Sequence, residues 1–377
     1  MGLPALNNAN NEHTSPPEHL RVDEQQLCYS KEPLRDLSHF LVHVEHPLNA
    51  EPLLPLLVNA GTITPSDLFF KRNHGPIPNI QLEEHRCAGN RRDGLAQLKE
   101  VKGVIWGAGT ISTAVWGGPR LRDVLRDIAG IHDNDLVHNY HVAFEADDHV
   151  HEDACYGSSI PLRKAMDPLG DVILAYEMNG EPLSRDHGFP LRVIVPGFIG
   201  ARSVKYLQKI IVQSQESNSY FQQKDYKILP PWVDSHNVDK SWGCAGALGE
   251  MNVQCVICTP TEKETILSSR PVVVKGYAIS GGGRSIYRVE LSVDGGRTWE
   301  PVDKIEQAPQ KGSGMYWAWA LWEKTVSTVN TTTELVARAY DSSGNIQPET
   351  PIWNYRGVMN NAWFRVKNVT QMPHHNL

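Results

Sequence analysis

From about residue 240 onward the chain is written in short strand-length runs: Val272–Ile279, Ser285–Val293, Thr298–Val302, Tyr316–Leu321 and Glu334–Tyr340. Between them stand Gly281-Gly282-Gly283, Asp294-Gly295-Gly296 and Ser342-Ser343-Gly344-Asn345, residues that supply the left-handed backbone of tight turns. Runs this short leave no room for long helices. Their spacing predicts an all-β sandwich of about 120 residues. Ser292-Val-Asp294-Gly295-Gly296-Arg-Thr-Trp299 is its clearest hairpin.

The preceding stretch reads differently. Pro119–Ala129 places apolar residues at helical spacing with Gly130 past the end, which predicts a short helix. Leu191–Val195 is a β-branched run stopped by Pro196-Gly197, and Ala201–Val212 alternates more weakly toward a strand. With 377 residues, two domains are expected. The layout is a disordered polar lead (1–26), an α+β domain (27–240), the β domain (241–370) and a tail (371–377).

Composition removes several functions. The net charge of −7 argues against a general nucleic-acid binder, and no apolar run approaches the ~18 residues of a membrane helix. The N-terminus lacks the basic and apolar regions of a signal peptide and is poor in Arg, and six cysteines in so long a chain are no disulfide scaffold. A soluble intracellular protein is expected, cytoplasmic or peroxisomal ahead of the mitochondrial intermembrane space.

Three motifs read as structure. Cys255-Val-Ile-Cys258 has zinc-like spacing but no second ligand pair, so buried thiols on a strand are expected. Asp147-Asp-His-Val-His-Glu-Asp153 reads as a solvated loop, and the Gly281–Gly283 run lacks the Lys and helix of a phosphate loop. Two others carry chemistry. Phe69-Phe-Lys-Arg-Asn-His-Gly-Pro-Ile-Pro78 packs cationic, amide and imidazole donors into a rigid loop that is costly near a core without an anionic ligand. In Arg86-Cys-Ala-Gly-Asn-Arg-Arg92, the flanking arginines favour a Cys87 thiolate suited to metal ligation or nucleophilic work.

These motifs, with WGGPRLRDVL from Trp116, AYEMNG from Ala175, RDHGFP from Arg185, VPGFIGARSVK from Val195, KGYAISGGGR and PIWNYRGVMNNAWFRV, resemble the sulfite oxidase family of molybdenum enzymes. That family also includes the molybdenum domain of eukaryotic assimilatory nitrate reductases. The resemblance implies a mixed α/β domain holding one molybdenum on a single pterin dithiolene, followed by an immunoglobulin-like domain that pairs two subunits. By motif position, Cys87 would ligate molybdenum. Phe70, Lys71, Arg72, Asn73 and His74 would cradle the pterin. Asp148, His187, Arg192, Ser203, Val204 and Lys205 would hold the pterin and its phosphate, with Asp147 able to replace Asp148 under a one-residue shift.

The implied reaction oxidises sulfite to sulfate, passing electrons to dioxygen or a soluble carrier. Arg72 and Arg92 would meet the sulfite dianion, Tyr176 would donate a hydroxyl and Trp106 would wall the pocket. No His-Pro-Gly-Gly haem motif occurs, and neither haem nor flavin is expected. Two features depart from the family pattern. The family's longer stretch between RNHGPIP and CAGNRR is reduced here to Asn79–Arg86, and Met315 stands where animal sulfite oxidases carry a further arginine. Met315 and the MNNAWFRVK run lean toward nitrate reductase; a non-catalytic relic of the family is the remaining alternative.

Overall fold

In the computed structural model the described residues are 29–30, 32–77, 88–132, 139–262, 265–267, 271–327, 334–367 and 370–372. The lead, the shortened 79–86 link and Cys87 lie outside them.

The α+β half is built round the strand His141–Ala146, paired antiparallel with Leu207–Gln213 on one side and Gly157–Pro161 on the other. Val142, Phe144 and Ala146 alternate into the core, as the two-residue side-chain period of a strand requires. Helices Leu121–Asp127 and Leu162–Met166 close over them. The first spans the helix expected over 119–129. Leu121, Val124 and Leu125, at i, i+3 and i+4, face inward, while Asp123 in the first turn and Arg126 in the last suit the helix dipole. Leu121, Phe144 and Leu162 are fully buried, each worth about 1.5–3 kcal/mol of transfer free energy. Leu121→Ala would therefore weaken the helix–sheet contact first.

The strand expected from Ala201 forms differently. Gly200–Arg202 is a 3-10 turn, Tyr206 takes a left-handed φ of 49°, and the strand starts only at Leu207. The cause is Arg202, whose guanidinium is buried and donates to the Leu248 carbonyl (2.7 Å), Ser158 Oγ (2.8 Å) and Gln222, so the chain must turn to seat it.

The β half is a sandwich of two four-stranded sheets. One runs Gln254–Thr259, Val272–Ile279, Ala320–Val326, Lys304–Glu306; the other runs Glu300–Pro301, Ile286–Ser292, Leu335–Asp341, Phe364–Val366. Ile257, Val274, Val289, Leu291, Trp322, Leu335 and Ala337 fill the space between them. The Asp294 hairpin forms as its sequence predicts. Gly295 and Gly296 have φ of 78° and 95°, and the Asp294 carboxylate accepts from the Arg297 and Thr298 amides. Cys255 and Cys258 lie fully buried on one strand, so burial pushes both thiols up and both are inert packing residues.

The strand expected at Tyr316–Leu321 starts late, at Ala320. Residues 316–319 serve the joint between the halves instead. Trp317 Nε1 donates to Asp171 (2.7 Å), and Trp319 Nε1 donates to the Thr62 carbonyl (2.9 Å). Trp319 belongs to a shared core of Leu57, Val58, Ile111, Val256, Tyr277 and Ile279. The chain also crosses back, since Val358 and Met359 pack into the α+β core. No helix among the described residues is long and apolar enough to cross a membrane.

Candidate cofactor cradle and substrate pocket

The loop after Phe69 makes the first wall. Phe69 and Phe70 are fully buried and stacked (centroids 5.9 Å apart), which fixes where the polar residues emerge. Lys71–Arg72 then pairs with Asn49–Ala50, so Arg72 lies opposite Asn49 and its Nη1 donates to Asn49 Oδ1 (3.0 Å) and to the Asn73 carbonyl (2.7 Å). His74 packs against Tyr156 and Phe221 and bonds Tyr226 Oη (3.0 Å). Gly75 is obligatory, because a Cβ there would collide with the His149 carbonyl. That close crossing sets Asp148 beside the loop.

The second wall comes from 184–206. Phe69 meets His187 edge-on at 5.6 Å. Arg192, 1 % exposed, lies over the Trp116 ring (4.6 Å) and donates to the carbonyls of His187 (2.9 Å) and Ser203 (3.3 Å). Ser203 Oγ accepts from the Val195 amide, and the Val204 carbonyl accepts from the Val193 amide. Lys205 Nζ joins the walls by donating to Asn73 Oδ1 (2.6 Å). A small cavity between the walls is lined by Asn73, His74, Asp148, Tyr156 and Lys205. Asp147 and Asp148 differ in burial. Asp148 is buried and accepts from the Tyr156 amide, whereas Asp147 faces outward to Gln208. The outward side of the 147–153 loop borders an open cavity of about 980 Å³, and no cluster of three metal-ligating side chains occurs there or elsewhere among the described residues.

The electrostatics of the cradle are those of an anion site. Burial, then Arg192, Lys205 and Lys71, hold His187 well below the usual histidine range; burial, Arg72 and Lys205 do the same to His74. Burial pushes the Asp148 carboxyl up to about 6, against the pull of the Tyr156 amide and Lys205. Asn73 Nδ2 is a buried donor with no acceptor among the described residues. An unmet donor beside crowded buried cations is costly in the empty protein and is satisfied by a polar ring bearing a phosphate. The residues therefore fit a pterin cofactor.

The pocket residues are placed less uniformly. Arg92 and Trp106 are brought together, since a Cβ on Gly89 would come within 2.9 Å of both. Trp106 is fully buried, and its Nε1 has no partner among the described residues. Arg92 is committed to backbone: Nε to the Arg356 and Gly357 carbonyls (3.1 Å each) and Nη1 to Val104 (2.7 Å). Tyr176 is 49 % exposed and is held here through its backbone. Met315 packs its side chain on Gly283 of the glycine turn. Cys87 lies outside the described residues; the neighbouring Ala88 is buried and its carbonyl accepts from the Met359 amide (3.3 Å).

Sequence reasoning missed Glu51. Its buried carboxylate accepts from the Gly107 amide (2.7 Å), the Gly109 amide (2.8 Å) and His43 Nε2 (2.8 Å), while His43 meets Trp106 edge-on at 4.9 Å. Glu51 thus holds the Trp106 loop from behind. The only signal was a lone acid beside Pro52, which no motif flags.

Residues 78–221 match the family model described as oxidoreductase molybdopterin binding domain, and residues 246–371 match the Mo-co oxidoreductase dimerisation domain. Fold, cradle and these matches define a molybdopterin-binding oxidoreductase. The chain is 44 % identical to the mitochondrial sulfite oxidase of Homo sapiens, over 90 % of this chain and 67 % of that protein. It is 41 % identical to the sulfite oxidase of Arabidopsis thaliana, over 93 % of this chain and 98 % of that one. The NAD(P)H nitrate reductase of Hordeum vulgare is 41 % identical over 88 % of this chain but only 42 % of its own length. The chain belongs to the sulfite oxidase family. The solved sulfane dehydrogenase SoxCD of Paracoccus pantotrophus shares the fold, with a TM-score of 0.67 over 99 % of this chain and 96 % of its own at 23 % identity.

Proposed function

We propose that this protein oxidises sulfite to sulfate at a molybdenum carried by one pterin dithiolene. The balance is sulfite plus water to sulfate, two protons and two electrons, with dioxygen or a soluble carrier taking the electrons. The observation that carries this reading is the convergence of Lys71, Arg192 and Lys205 on His187, beside the unmet Asn73 donor, in a chain so similar to sulfite oxidases.

The bound cofactor would supply the two-electron redox chemistry and the oxygen transfer. The protein supplies position and charge. Phe70, Lys71, Arg72, Asn73 and His74 would cradle the pterin; Asp148, His187, Arg192, Ser203, Val204 and Lys205 would hold the pterin and its phosphate, and the Cys87 thiolate would ligate the metal. Burial pushes the Asp148 carboxyl up to about 6, so near that pH it could donate as well as accept a hydrogen bond toward the pterin. Arg72 and Arg92 place positive charge toward sulfite, Trp106 donates Nε1 and excludes water, and Tyr176 reaches in from the rim. Residues 246–371 pair two chains into a homodimer. Neither haem nor flavin is part of this reading, and the working compartment is the cytoplasm or peroxisome, ahead of the mitochondrial intermembrane space.

Metal analysis and paired assays test it. Purified protein should carry about one molybdenum per chain and reduce ferricyanide when given sulfite. A molybdenum-free, inactive protein would establish the relic reading. Nitrate reduction from reduced viologen, without sulfite oxidation, would establish the nitrate reductase reading that Met315 favours.

A further inference from the structure

Residues 29–77 precede the segment matching the molybdopterin-binding family model, yet they supply one whole wall of the cradle. Lys205 already ties the two walls through Asn73 Oδ1 (2.6 Å), and the like charges of Lys71, Arg192 and Lys205 acting on His187 work against that tie. We propose that Arg35 is a positioning residue that clamps the two walls together and so lets the cradle retain its pterin; this rests on the cofactor reading above.

The geometry is a two-sided clasp. Arg35 grips the Asp186 carboxylate with both ends of its fork, Nε to Oδ2 at 2.6 Å and Nη2 to Oδ1 at 2.7 Å. The same Nη2 donates to Glu32 Oε2 (2.6 Å), and Glu32 Oε1 accepts from the backbone amide of Ile77 (2.9 Å), where the first wall ends. Asp186 is buried and precedes His187, and its carbonyl accepts from Lys205 Nζ (3.2 Å). A continuous chain of hydrogen bonds thus runs from Ile77 through Glu32, Arg35 and Asp186 to Lys205. A bidentate guanidinium–carboxylate pair fixes orientation as well as distance, which a lysine ammonium cannot do.

The test uses the full chain expressed in a host that makes the cofactor. Wild type, Arg35→Met and Arg35→Lys are compared for pterin per chain, read by fluorescence after oxidative release, and for hydrogen exchange at the Ile77 amide. Leu121→Ala, a core truncation that removes none of the clasp's hydrogen bonds, calibrates pterin loss against melting temperature. The expectation is that Arg35→Met keeps at most a fifth of the wild-type pterin, exchanges Ile77 at least tenfold faster, and loses far more pterin than Leu121→Ala at equal melting temperature. Arg35→Lys should fall between, and it decides the matter alone if Arg35→Met does not fold. Wild-type pterin content in Arg35→Met, or loss merely in line with Leu121→Ala, overturns the proposal. If wild type carries no pterin, the cofactor reading fails and the clasp stands or falls on exchange at Ile77: faster in the variant supports it, unchanged refutes it.

Discussion

The sandwich and the cradle around His187 treat buried charge in opposite ways. In the sandwich each buried acid has its own cation. Glu290 is clasped by Arg338 (2.7 Å) and Arg288, and Asp341 by Arg284 (2.8 Å) with help from Ser280 and Asn345. Although burial pushes both carboxyls up, their partners win and hold them below the usual range. In the cradle, like charges are gathered, two histidines are forced neutral and Asp148 is pushed up. Matched charge belongs to a scaffold complete in itself, and gathered charge belongs to a site built for something it must bind.

The comparison can be broken at its strongest point first. Cys87→Ser should reduce sulfite oxidation to background while leaving the dimer and most bound pterin, because the thiolate holds the metal and the pterin has its own contacts; near-normal turnover would remove Cys87 from the site. Lys205→Met should come next. Losing a cationic hydrogen bond worth about 1.5–3 kcal/mol predicts roughly 10- to 150-fold weaker cofactor retention, measured as pterin and molybdenum per chain. In the sandwich, Glu290→Gln should do the reverse, costing about 1.5–3 kcal/mol in denaturant unfolding with cofactor content unchanged. Loss of cofactor there would erase the distinction between the halves.

The smallest effect is a pH dependence of cofactor-free protein. His74 and His187 have lowered pKa values when folded, so below their unfolded pKa of about 6.5 the unfolded chain binds more protons and folding weakens as pH falls. Asp148 has the opposite sign: raised to about 6 when folded, it binds a proton before the unfolded chain does and offsets part of the loss. Between pH 7.5 and 6.0 the histidines dominate, for a net loss on the order of 1 kcal/mol. The carboxylates Glu290 and Asp341, lowered when folded, stabilise above their unfolded values and surrender that only in stronger acid. Unfolding free energies at the two pH values check this, and His74→Gln should flatten the slope.

Much of this was legible in the residues. The strand Val272–Ile279 falls on its sequence run end for end, because alternation and flanking turns agree there. Phe70 to His74 read as a ligand loop because such donors have no other reason to sit between two buried phenylalanines and two prolines. What stayed hidden was whatever depends on distant partners. Trp317 and Trp319 look like strand residues until Asp171 and Thr62 claim their indoles. Arg92 reads locally as a substrate cation, and nothing near it in sequence shows that carbonyls 264 and 265 residues away also fasten its Nε. Glu51, Arg35 and Asp186 show nothing in a local window, since their roles exist only across the fold.

The same return of the chain dictates an order of assembly. The loop that follows Cys87 is fastened by residues made much later in the chain: Arg356 and Gly357 hold Arg92, Asn360 Nδ2 grips the Arg91 carbonyl (2.8 Å), and Met359 reaches Ala88. On a ribosome the loop after Cys87 therefore emerges long before its fasteners do. Its final seating waits on residues 356–360, and a message cut short before codon 356 yields a first half that can join its cradle walls through Arg35 and Lys205 but lacks the partners that pin Ala88, Arg91 and Arg92.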